Sequence, residues 1–178
     1  MYSAFVIVSD KFILYTEAAA GASPSEPDVV IGSWERGEKY LENILNDLRH
    51  WVVGWTDWNL ALNMTGGPNW ANFEFDSPIL VDATLKEFYK QPSYYAMGHV
   101  SRYFTEGSFV IEVTDVDGSV GNKGIVFAGA KRLDGGIVVT LMNKDEVSYT
   151  LNLIDPDLGY VPLNIEPSSM HSIIYWQS

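Results

Sequence analysis

Residues 12–18 read F-I-L-Y-T-E-A, an apolar run that stops in one carboxylate, Glu17, with the small residues Ala18, Ala19, Ala20 and Gly21 directly behind it. A strand buried on both faces of a parallel sheet is almost continuously apolar, and in barrels made of such strands the chemistry collects where each strand ends. Glu17 is therefore a candidate catalytic acid. A glutamate at a strand end is also an ordinary solvated turn residue, so this feature alone leaves both readings open.

Working outward, Ser33 precedes a helical stripe of Tyr40, Leu41, Ile44, Leu45 and Leu48, with Glu35 in the first turn where the helix dipole favours an anion. Ser33 is the expected N-cap. After His50 the pattern becomes V-V-G-W-T-D-W-N-L-A-L, in which Val52, Val53, Trp55 and Trp58 are strand formers. Strand, helix, strand in this order is a parallel βαβ unit, right-handed by rule, with both strand ends on one rim. That rim would carry Glu17 and the Trp55–Trp58 segment together. Residues 63–78, with Gly66, Gly67 and Pro68 among Trp70, Phe73 and Phe75, form an excursion that cannot be helix. Tyr94, Tyr95, Met97, Val100 and Phe104 then predict a helix over 93–104, beginning near Pro92.

From residue 108 the texture changes to short apolar or alternating runs at 109–113, 125–130, 137–141, 149–153, 161–165 and 172–175, separated by Gly, Asn and Asp turns. Asp134-Gly135-Gly136 is a hairpin signal. Six strands at this spacing predict an antiparallel β-sandwich or half of one, with a domain boundary near 105–108. The expected organisation is α/β over residues 1–107, carrying the Gly/Trp-rich excursion at 63–78, and all-β over residues 108–178.

The bulk numbers exclude some partners. The 178 residues are 47% hydrophobic, and 23 acidic residues against 11 Lys and Arg give a formal charge of −12, so no basic face exists to neutralise nucleic-acid phosphates. Cysteine is absent. No run reaches the ~18 apolar residues of a membrane span, and 5–8 is too short for a signal-peptide core, so this chain shows no signal peptide. Asn63-Met64-Thr65 is an N-glycosylation sequon, which marks Asn63 as a candidate modification site in a secreted or lysosomal protein. His50, His99 and His171 are scattered, and no metal or other cofactor is implied.

The stretches T-E-A (16–18), G-S-W-E-R-G (32–37), V-V-G-W-T-D-W-N-L-A-L-N (52–63), G-G-P-N-W (66–70), D-S-P-I (76–79), F-Y-K-Q-P (88–92) and E-G-S (106–108) follow without a gap. In this order and spacing the chain resembles the glucosylceramidases, the acid β-glucosidases of glycoside hydrolase family 30. The likeness continues more weakly to S-I-I-Y-W (172–176). It implies the C-terminal portion of such an enzyme: the last strands and helices of a (β/α)8 TIM barrel followed by an antiparallel β-sandwich. It also implies retaining hydrolysis of glucosylceramide, with Glu17 as nucleophile and Trp58 as the aromatic wall of the glucose subsite. A retaining glycosidase needs a second carboxyl about 5–5.5 Å from the nucleophile to protonate the leaving oxygen. Lysosomal residence, a membrane-surface or lipid association and an activator protein are implied on the same ground.

The sequence departs from the family in several places. Where the family places a site asparagine after G-G-P-N-W, the ungapped position is Phe73, and Asn72 lies one residue earlier. Residues 1–10 do not follow the family pattern, nor do Ala19 and Ala20. The family's Asn-Glu-Pro acid/base segment, upstream of the nucleophile, has no counterpart; Asn164-Ile165-Glu166-Pro167 is an echo in the expected sandwich. A complete barrel takes roughly 250 residues. The 178-residue chain alone is therefore expected to be inactive, and its open barrel edges to drive self-association. The alternative is a non-catalytic carbohydrate-binding or interaction fragment; β-xylosides or galactosides are a third option for substrate, which the long tryptophan-rich match disfavours.

Overall fold

A computed structural model describes residues 11–177; the stretch 1–10, expected to depart from the family pattern, lies outside them. Strand β1 (Ile13–Ala18) runs parallel to β2 (Val52–Asp57), and helix α1 (Trp34–Arg49) joins them. The parallel βαβ unit read from the sequence is thus present. Ser33 caps α1, its Oγ accepting from the Arg36 N–H at 3.3 Å. Arg49 stands in the last turn, where a cation complements the helix dipole.

Three short strands follow that the sequence did not announce: β3 (Ala61–Asn63), β4 (Ile79–Asp82) and β5 (Glu87–Lys90). They form one sheet in the order β3-β4-β5, the first pair parallel and the second antiparallel. Strands of three or four residues are too short to show a period of two, and the β3–β4 pairing spans the whole 63–78 excursion. Helix α2 (Pro92–Ser101) starts at its proline as expected but stops three residues early. There the N–H groups of Tyr103 and Phe104 both turn back to the carbonyl of Val100.

The all-β segment comprises β6 (Phe109–Ile111), β7 (Ile125–Lys131), β8 (Gly136–Asn143), β9 (Tyr149–Asp155), β10 (Gly159–Ile165) and β11 (Ser169–Trp176). Four of these make one antiparallel sheet in the order β11-β8-β7-β6, while β9 and β10, among the described residues, pair only with each other. The β7–β8 hairpin turns where Asp134-Gly135-Gly136 predicts it. Gly135 sits at φ +82°, a conformation open mainly to glycine, and the Asp134 carboxylate accepts the Gly136 N–H at 3.0 Å.

One hydrophobic cluster joins the two halves of the chain. Tyr40, Leu41 and Leu45 of α1 pack with Ala96 of α2, Ala128 of β7 and Met142 of β8. Arg49 lies over the Phe127 ring, and Lys144 pairs with Glu42 at the edge of the same contact. The side of β1–β2 turned away from α1 is bare: Leu14 is 50% exposed and Val53 65%.

Candidate active site

The end of β1 is irregular at the residue that matters. Tyr15 pairs with Trp55 and Ala18 with Asp57, so three steps along β1 match two along β2. One extra residue is accommodated at Thr16–Glu17, a β-bulge, which re-aims side chains and is common beside active sites. The bulge closes at Ala18, whose carbonyl accepts the Trp58 N–H at 2.9 Å. Glu17 and Trp58 therefore stand on adjacent strand ends at one rim. The Glu17 side chain is exposed.

Trp58 is half-buried against two rings of the excursion, with centroids 4.8 Å from Phe75 and 5.9 Å from Phe73. Phe73 and Phe75 stack on each other at 5.4 Å. The residue in the family's asparagine position is thus an aromatic packed on the candidate stacking platform. Asn72 is exposed at φ +56° and donates its backbone N–H to the Asn69 carbonyl. The organiser of this loop is Asn69, whose place in a turn-rich motif was legible in the sequence but whose side-chain bonding was not. Its Oδ1 accepts from the N–H groups of Ala71 and Phe73, and its Nδ2 donates to the Phe73 carbonyl at 2.7 Å.

Asp57 turns toward α1, as the alternation of β2 predicts for a residue next to Trp58. Its Oδ1 accepts from the Tyr40 hydroxyl at 3.1 Å and from the Trp58 N–H at 3.0 Å, while Oδ2 is buried with no partner among the described residues. Burial pushes its carboxyl up to about 6. Burial, with the Asp57 charge behind it, also raises the Tyr40 phenol above its ordinary value. Tyr40 stands edge-on to Trp55, whose Nε1 donates to Asn43 at 2.8 Å, and Trp55 stacks on Tyr15.

A second buried network explains three of the quoted motifs. Asp76 of D-S-P-I accepts from Arg36 of G-S-W-E-R-G and from Nε2 of Gln91 of F-Y-K-Q-P, the latter at 2.6 Å. Gln91 Oε1 in turn accepts the Gly32 N–H at 2.6 Å, and Arg36 also donates to the carbonyls of Pro27 and Asp28. The loops behind β1 and before β4 are thereby tied to both helices. Their spacing in the sequence carried no hint of this, because the three side chains are 15 to 55 residues apart.

Asn63 ends β3 and heads a turn. Its Oδ1 accepts from the N–H of Thr65, the Thr65 hydroxyl and the N–H of Gly67, leaving its exposed amide nitrogen unbonded. Two of the histidines read as scattered are neighbours: His99 of α2 bonds Ser172 of β11 at 2.9 Å, and His171 is close enough to help burial lower the His99 pKa. They buttress α2 against the antiparallel sheet. A concavity of about 430 Å³ reaches Ala18 from the α1 side, among Tyr15, Lys39, Tyr40 and Trp55; Glu17 and Trp58 are outside it.

Residues 4–104 match the glycosyl hydrolase family 30 TIM-barrel domain, so the match begins inside the stretch 1–10 that was expected to depart from the family pattern. The chain is 38% identical over 171 residues to the lysosomal acid glucosylceramidase of Mus musculus, covering 93% of this chain and 32% of that protein. It spans about a third of the length of the curated relatives it matches. Among solved structures, SrfJ from Salmonella typhimurium superposes with a TM-score of 0.82 at 26% identity, over 96% of this chain and 36% of that one. The endo-β1,6-glucanase BT3312 superposes at 0.77 with 22% identity, over 94% of this chain and 36% of its own, which speaks for the fold.

Proposed function

Because the chain belongs to glycosyl hydrolase family 30, we propose that it supplies the nucleophile side of a retaining β-glucosidase site that hydrolyses glucosylceramide. Glu17 attacks the anomeric carbon. A second carboxyl from beyond residues 11–177 protonates the leaving oxygen, and water then releases glucose from the enzyme ester. Trp58 offers its indole to the apolar face of the sugar, and Asn72 reaches a hydroxyl from the excursion. The observation that carries this reading is the shared rim: the bulge at Thr16–Glu17 is closed by the backbone of Trp58 itself.

In this proposal residues 1–107 are the C-terminal part of a (β/α)8 barrel, with β1 and β2 its last two strands, and residues 108–178 are a β-sandwich domain. The bare apolar side of β1–β2 is what an open barrel leaves, and it favours self-association of the isolated chain. Trp70, 89% exposed on the loop that packs against Trp58, suits a lipid surface presenting the substrate. An activator protein belongs to the same proposal. No helix among the described residues is long and apolar enough to cross a membrane. The relationship to a lysosomal enzyme supports a lysosomal site of action, with Asn63 glycosylated on the way.

Incubation with 2-deoxy-2-fluoro-β-glucosyl fluoride, whose leaving group departs without an acid catalyst, followed by peptide mapping, tests the assignment. The expected product is an ester at Glu17, absent in Glu17→Gln. Label at another carboxylate, or none, overturns it and leaves the non-catalytic fragment, which the exposure of Glu17 outside the α1-side concavity would then explain.

A further inference from the structure

A bulge releases one residue from the regular ladder, so strand pairing does not by itself fix where the side chains at Thr16–Glu17 point. The direction is set by how the bulge is closed. At its far end the closing bond is Trp58 N–H to Ala18 O, 2.9 Å, and the same N–H lies 3.0 Å from Oδ1 of Asp57. That oxygen also accepts the hydroxyl of Tyr40, a residue 5% exposed and locked edge-on against Trp55. A continuous chain of contacts thus runs from the α1 core through Tyr40 and Asp57 to the Trp58 amide and the residue after Glu17.

We propose that Asp57 is a positioning residue for the nucleophile: by holding the Trp58 N–H from the α1 side it closes the bulge in one geometry and so aims Glu17. The proposal rests on Glu17 being the nucleophile. Stability alone does not account for a carboxylate here, because Oδ2 is buried without a partner among the described residues, and a buried polar oxygen left unpaired is costly. Burial also raises its proton affinity, as a site optimised only for folding would avoid.

Two measurements on the 178-residue chain test this. With the fluoroglucosyl fluoride label, Asp57→Ala should lower the maximal rate of inactivation by about 10- to 100-fold while the inhibitor's KI stays within about twofold, since misaiming by an ångström slows attack and leaves binding intact. Asp57→Asn keeps the Oδ1 acceptor and should recover most of the rate. An unchanged rate in Asp57→Ala, or no recovery in Asp57→Asn, overturns the proposal. Independently of any label, hydrogen exchange of the Trp58 amide should accelerate about tenfold in Asp57→Ala, with the β7 and β8 amides unmoved. Unaltered Trp58 exchange overturns the proposal whatever the label does. Failure of the wild-type chain to label at Glu17 overturns the nucleophile assignment and, with it, the aiming role, whereas accelerated exchange would still identify Asp57 as the clamp on the bulge.

Discussion

Replacing Asp76 by alanine removes the centre of the Arg36–Asp76–Gln91 network. The two charged side chains are 9% and 5% exposed, so this is a buried pair. Removing one partner of a buried pair costs about 3–5 kcal/mol, because the remaining charge stays in a poor dielectric. Arg36 retains the carbonyls of Pro27 and Asp28, which favours the lower end; Gln91 Nε2 and the N–H groups of Val30 and Ser77 lose their acceptor, which favours the upper. We expect a loss of about 4 kcal/mol, or about 10 °C in Tm for a chain of this size. Urea unfolding and thermal melts followed by far-UV circular dichroism give both numbers. The double variant Arg36→Met, Asp76→Leu should lose less than the two single changes summed, since it leaves neither charge stranded. A loss below about 1 kcal/mol in Asp76→Ala, the range of a solvated surface pair, refutes the reasoning.

Three further outcomes are expected. Asp57 titrates at about 6 folded against an ordinary value of 3.8, so the folded state holds a proton that the unfolded chain releases between those values. Stability therefore falls as pH rises through that window, and the difference between wild type and Asp57→Asn should shrink in the wild type's disfavour by about 1–3 kcal/mol from pH 4 to pH 7; a difference flat in pH counts against it. Leu41→Ala, at a fully buried position in the cluster shared by α1, α2, β7 and β8, should cost about 2–5 kcal/mol in a single cooperative transition, and separate melting of the two halves would contradict the shared core. Native protein digested with a glycan-releasing amidase in heavy-oxygen water should return residue 63 as labelled aspartate, and Thr65→Ala should abolish this. An unmodified Asn63 peptide would refute glycosylation there.

Local chemistry made some of this fold legible and non-local chemistry hid the rest. Ser33 before an amphipathic stripe, an apolar run ending at Glu17 and Asp134-Gly135-Gly136 between strands are each decided within a few residues, and each is where the sequence puts it. The β3-β4-β5 sheet was not readable because its strands are short and its defining pair is separated by a loop ordered through Asn69. The quoted motifs were recognisable as strings, but their common cause is spatial: Arg36, Asp76 and Gln91 meet in one buried cluster. The bulge was invisible for a related reason, since F-I-L-Y-T-E-A reads as an unbroken strand and only its register against V-V-G-W-T-D shows the extra residue.

That register carries the functional argument. Glu17, the bulge that turns it, the Trp58 amide that closes the bulge and the Asp57–Tyr40 brace behind that amide all belong to one βαβ unit, residues 13–58. In the proposed reading, the aim of Glu17 is fixed inside a local unit whose helix is anchored in the core. What the rest of a barrel would add is the second carboxyl and the walls of the sugar site. On this division of labour, changes at Asp57 or Tyr40 should alter how fast Glu17 attacks, whereas changes at Trp58 or on the 63–78 loop should alter which ligand is held in front of it.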